Sequence, residues 1–165
     1  MKSTTRIIAQ AVILVAIGVA LAPFTSFPVG IAKVNPTQHF VNLLAAVLLG
    51  PWWAVAIAAI VGVIRNAMGV GTLLAFPGGM IGALLAGLLY HRLKKLWAAA
   101  AGEIVGTGIL AALVSGWLVA PFLMGKQMPV LVLLASFLGS TVLGTVLGLL
   151  ALKLLERVGY VKLGE

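Results

Sequence analysis

Residues Arg65–Tyr90 read RNAMGVGTLLAFPGGMIGALLAGLLY. They lie between long apolar runs, yet they open on a charged and polar pair, Arg65 and Asn66. Glycines come next at 69, 71, 78, 79, 82 and 87, with a proline at 77. A lipid-facing helix needs none of these. Within a membrane, non-helical backbone is tolerated only where protein covers it or where it lines a cavity. The stretch therefore predicts a glycine-rich connection over 67–76 and an interrupted fourth helix, from about 77 to 90, beside a binding cavity.

Composition sets the frame around that stretch. The chain has 165 residues, 62% hydrophobic and 8% charged, and its mean hydropathy is +1.22. Soluble domains carry about 25% charged residues, so there is too little charge here to cover a water-exposed surface. The expected class is an all-α integral membrane protein, a single transmembrane domain over residues 1–165. Cysteine is absent, which excludes disulfides and thiolate metal sites. Aspartate is absent too, and the only acids are Glu103, Glu156 and Glu165. The net charge of +8 comes from basic residues grouped at segment ends. That placement suits topology and anionic lipid, not nucleic acid. The first apolar stretch reads as a membrane helix, because 23–36 offers no small-x-small cleavage site.

The apolar runs define six spans, at about 6–22, 37–50, 52–66, 77–90, 96–119 and 130–155. Three prolines break the chain between the first and second, in a loop (23–36) that keeps Phe24, Phe27, Val29 and Ile31 and is expected to fold over the protein. Six spans put both termini on one side. That side carries Lys2, Arg6, Arg92, Lys94, Lys95, Lys153, Arg157 and Lys162, eight residues against Lys33, Arg65 and Lys126 on the other. The positive-inside rule then makes both termini cytoplasmic. The 23–36 loop, the glycine-rich connection and the 121–129 loop face outward together, around one cavity.

Candidate chemistry concentrates on four elements. A charge inside a membrane helix costs roughly 2.5–3.5 kcal/mol on insertion scales, so Glu103 needs a partner or a purpose. Glu103, Thr107, Ala111 and Ser115 recur every four residues and form a small, polar stripe on the fifth helix. Ser136, Ser140, Gly144 and Gly148 do the same on the sixth; the two serines face the outer half as candidate donors, and the glycines suit close packing. The second span begins polar, with Gln38, His39 and Asn42, and Asn35 stands just before it in the loop. Arg65 stands roughly 21 Å above the start of its span at about 1.5 Å per residue. Three roles stay open for it: a snorkelling arginine, an anion-binding group in the cavity, or a partner for Glu103. Asn66 and Thr72 lie beside it, and Phe76 and Trp117 are candidates to stack on a ring. Ala16 and Ala20 form a small-xxx-small pair on the first helix. No HExxH, P-loop or Ser-His-acid arrangement is present, so no enzyme, metal or cofactor is expected and any ATP-driven step must come from a partner.

These features resemble the substrate-binding S components of energy-coupling factor (ECF) vitamin transporters. More narrowly, the quoted stretch and GEIVGTGIL at 102–110 are similar to the ThiW type. The resemblance implies a prokaryotic cytoplasmic-membrane subunit that binds a vitamin precursor from outside. Its cavity would be formed by the first outer loop and spans four to six. It further implies a transmembrane coupling protein, docked through Ala16 and Ala20, and two ATPase subunits. The implied ligand is the thiazole precursor of thiamine, hydroxyethylthiazole or a close relative. Glu103 fits a neutral thiazole less well than an aminopyrimidine, so both stay open, as does another vitamin. The competing classes are a self-sufficient small secondary transporter or channel, and a membrane scaffold without a ligand.

Overall fold

The computed structural model describes residues 3–29 and 32–163. Lys2, Ile31 and Glu165, singled out in the sequence, lie outside the described residues. Six long helical segments form a bundle: α1 (Thr4–Ala20), α3 (Pro36–Leu48), α4 (Pro51–Ala67), α5 (Ala75–Leu93), α6 (Leu96–Leu123) and α7 (Val130–Arg157). Between α1 and α3 the chain is ordered by a helical turn, α2 (Ala22–Thr25), and an antiparallel pair, β1 (Phe27–Val29) with β2 (Ala32–Val34). Helices α6 and α7 each have 28 residues and are apolar. At about 1.5 Å per residue each exceeds the roughly 30 Å hydrocarbon core.

Helix α3 sits at the centre. It is buried on nearly every side, from Pro36 to Ala46 with Phe40 the exception, and it packs on α1, α4, α5 and α7. Its polar residues therefore have no solvent to satisfy them and must bond inside the bundle. Asn35 starts the helix, its Oδ1 accepting from Gln38 N at 2.8 Å, and Pro36 occupies the first turn, where no N–H is required. Gly50, at φ 95°, allows the abrupt turn into α4.

The fourth segment is not interrupted, contrary to the sequence reading. Helix α5 runs unbroken from Ala75 to Leu93, and the irregular backbone precedes it. Pro77 does not break it because it falls in the first turn, whose N–H groups have no intrahelical acceptor anyway. The glycines of α5 permit contact at backbone distance. A Cβ on Gly87 would lie 2.5 Å from Pro51 Cα, and one on Gly82 would lie 2.8 Å from Glu103 Oε2.

The interruption lies one segment later. Helix α6 widens into π turns at Gly106–Ala111 and again at Ser115–Leu123. An α-helix gains about 40° for every four residues, so a four-residue repeat drifts around it. A π turn closes i→i+5 and winds less per residue. Mixing the two holds Glu103, Thr107, Ala111 and Ser115 at one azimuth, and all four are buried.

Candidate ligand-binding site

One end of the bundle opens into a cleft between β2, the start of α3, the end of α4, the start of α5, Thr107 of α6 and the N-terminal half of α7. Its enclosed volume is about 40 Å³, room for a few water molecules at roughly 10–15 Å³ each. Polar walls come from Asn35, Gln38, His39, Arg65, Thr72, Thr107 and Ser140, and Lys33 stands at the mouth. Apolar walls come from Val34, Leu74, Ala75 and Phe137, with Gly78 and Gly79 bare beside them.

Beneath the cleft, Glu103 is fully buried. Three donors converge on its Oε1: His39 Nδ1 at 3.0 Å, Asn42 Nδ2 at 3.0 Å and Thr107 Oγ1 at 3.2 Å. With the carboxylate ionised, His39 must carry its proton on Nδ1, because Oε1 has none to give. Among the described residues the other ring nitrogen of His39 has no hydrogen-bond partner, and His39 lines the cleft. Thr107 shares its single hydrogen between Glu103 and Gly78 O, the latter at 2.7 Å.

A directed chain of hydrogen bonds joins Arg65 to this carboxylate. Arg65 Nη1 donates to Gln38 Oε1 at 3.2 Å, Gln38 Nε2 donates to Asn42 Oδ1 at 3.1 Å, and Asn42 Nδ2 donates to Glu103 Oε1. The charged ends fix both amide orientations: the guanidinium has only donors and the carboxylate only acceptors. The helical spacing explains the middle of the chain, since Gln38 and Asn42 are four residues apart on α3. Arg65 thus neither snorkels nor pairs with Glu103 directly. It is 2% exposed and faces inward.

The structure distributes the sequence-derived residues unequally. Asn35, Gln38, His39, Arg65, Thr72, Thr107 and Ser140 come together around the cleft, while Asn42 and Glu103 lie one layer below it. Asn35 is largely occupied already, with Nδ2 on Ser26 Oγ at 2.7 Å and its N–H on Ser140 Oγ at 3.2 Å. Asn66 turns away and donates to Gly62 O and Thr72 O. Phe76 covers Gly62, whose Cβ would stand 3.3 Å from the ring, and does not reach the cleft. Ser136 donates back to Val132 O on its own helix. Trp117 is 63% exposed on the bundle surface, so the expectation that it walls the cavity is corrected. Ala16 and Ala20 point outward from α1, together with exposed Val12 and Ile13.

The four apolar wall residues, Val34, Leu74, Ala75 and Phe137, escaped the sequence reading. Phe137 supplies the aromatic wall, and Leu74 faces the same cleft. Phe137 was legible in principle, because it stands three residues before Ser140 on the same helix.

The chain is thus a six-segment helical bundle with a polar cleft at one end. The chain is similar to a solved structure described as the S component of a bacterial ECF transporter, with a TM-score of 0.70 at 17% identity, covering 95% of this chain and 97% of that one. No match is found among curated proteins. The family model of the thiamine-precursor transporter protein ThiW matches residues 8–158, and the chain belongs to that family. It is a membrane protein of a transporter family, not of an enzyme family.

Proposed function

We propose that this chain is the substrate-binding subunit of an ATP-driven, ECF-type importer, and that its ligand is the thiazole precursor of thiamine. One observation carries the choice of ligand. The cleft combines an apolar, aromatic wall in Leu74 and Phe137 with polar Arg65 and His39, and among the described residues no carboxylate lines it. A flat heterocycle with a polar substituent suits such walls. An aminopyrimidine would call for an acceptor carboxylate on the lining, whereas Glu103 lies beneath it, its Oε1 held by three protein donors and its Oε2 buried without a partner. Lining positions for the ligand are Gln38, His39, Arg65, Thr72, Thr107 and Ser140. The cleft is narrow, about 40 Å³, and in this reading the 68–74 connection and the β1–β2 pair part to admit the ring. In this reading six helices cross a prokaryotic cytoplasmic membrane with both termini inside. The outward face of α1 at Ala16 and Ala20 would dock the transmembrane coupling protein, which two ATPases drive.

Calorimetry on the purified chain tests the ligand assignment. Hydroxyethylthiazole or a close thiazole derivative is expected to bind without ATP or an ion gradient, and more tightly than the aminopyrimidine precursor or thiamine. Binding of the aminopyrimidine alone would replace the thiazole, and silence toward all thiamine precursors would remove the reading.

A further inference from the structure

Arg65 is buried at the cleft with only part of its guanidinium engaged. Nη1 donates to Gln38 Oε1 at 3.2 Å, and Nη2 reaches Ser26 Oγ at 3.4 Å, at the outer limit of a hydrogen bond. Nε is buried and donates to nothing. A guanidinium holds its five N–H donors in a fixed fork, and the edge formed by Nε and Nη2 matches two oxygens of a carboxylate or phosphate. Along that edge Nε makes no hydrogen bond and Nη2 makes only the long contact to Ser26 Oγ.

The charge around it points the same way. Lys33 is the second cation on the lining, its Nζ donating to Gly69 O at 2.9 Å. Among the described residues no acid faces the cleft. The nearest connected carboxylate, Glu103, is separated from Arg65 by two amides. A buried cation without an adjacent counter-charge is unfavourable. A hydroxyl or a ring nitrogen would satisfy one N–H and leave the charge uncompensated. An oxyanion would satisfy both donors and balance the charge.

We infer that the ligand carries an oxyanion, a ring-borne carboxylate or a phosphate ester, held by the Nε–Nη2 edge of Arg65 with its ring against Leu74 and Phe137. This rests on the proposed thiazole-binding role of the same cleft and narrows its substrate class from a neutral alcohol to an anionic thiazole.

Titration calorimetry on the full chain compares hydroxyethylthiazole, its phosphate ester and the methylthiazole carboxylate. At least one anion is expected to bind roughly tenfold or more tightly than the alcohol, the scale of a charge-assisted pair. Whichever anion prevails identifies the source of the charge. Arg65→Gln and Arg65→Lys should both erase the preference, the second because it keeps the charge but loses the fork. Thermal unfolding establishes that each variant is folded, and Arg65→Lys carries the test if Arg65→Gln is not. If the alcohol binds as tightly as both anions, or if the preference survives in Arg65→Lys, the inference is overturned while the thiazole reading stands. If none of the three thiazoles binds, both fall.

Discussion

Replacing Glu103 by Gln keeps the shape and removes the charge, so its cost can be worked from the hydrogen bonds at Oε1, where the amide oxygen would stand. The carboxylate oxygen Oε1 accepts from His39, Asn42 and Thr107 at 3.0, 3.0 and 3.2 Å. Hydrogen bonds to a charged partner contribute about 1.5–3 kcal/mol and neutral ones about 0.5–1.5. Losing the charge therefore weakens three bonds by about 1 kcal/mol each. Relief from burying a charge offsets part of this. The net destabilisation is expected at about 1–3 kcal/mol, or a fall of several degrees in melting temperature at about 2–4 °C per kcal/mol for a chain of this size. Glu103→Ala strands all three donors and is expected to cost more, about 3–5 kcal/mol. Ligand affinity should fall in both, through a less firmly held His39. The assay is thermal unfolding in detergent beside calorimetry on the same preparations. An unchanged melting temperature in both variants would refute the convergent geometry. Lost binding at full stability in Glu103→Gln would refute the placement of Glu103 beneath the lining and make it a direct ligand contact.

Gly82→Ala forces a methyl group into Thr107 Oγ1 and to 2.8 Å from Glu103 Oε2; such overpacking costs about 1–3 kcal/mol, and a wild-type melting curve would show that α5 and α6 are not this close. Phe137→Leu keeps an apolar wall but removes the ring, so thiazole affinity should fall roughly two- to tenfold, the range of an aromatic pair, whereas Trp117→Leu on the outer surface should leave affinity unchanged; the reverse pattern in calorimetry would exchange their roles. Ala16→Trp and Ala20→Trp, on the outward face of α1, should abolish uptake in cells while leaving binding by the purified chain intact, and a loss of folding would place that face inside the bundle.

Much of the fold was legible in local sequence. Six apolar runs, the prolines between them and the Gly50-Pro51 turn set the helical segments to within a few residues, because helix ends depend on nearby caps and breakers. The stripe from Glu103 to Ser115 was legible for the same reason: it needs only one helix and one spacing. The cleft was legible in part. Asn35, Gln38, His39 and Arg65 were singled out as polar residues in apolar context, a signal that requires no partner to be known.

Tertiary structure decided the rest. His39 meets Glu103 across 64 positions and Asn42 meets it across 61, pairings that no spacing along the chain announces. Arg65 and Glu103 needed two amides from a third helix before their relation was defined. Trp117 shows why azimuth resists reading from sequence. At about 100° per residue, an ideal α-helix would bring it back to within about 40° of Glu103, onto the buried stripe. The π turns between them wind less at every step, the difference accumulates, and Trp117 emerges on the surface. Sequence alone determined that this chain is a helical membrane protein with a polar interior; the accumulated twist of α6 and the packing of α3 among its neighbours decided which polar groups meet.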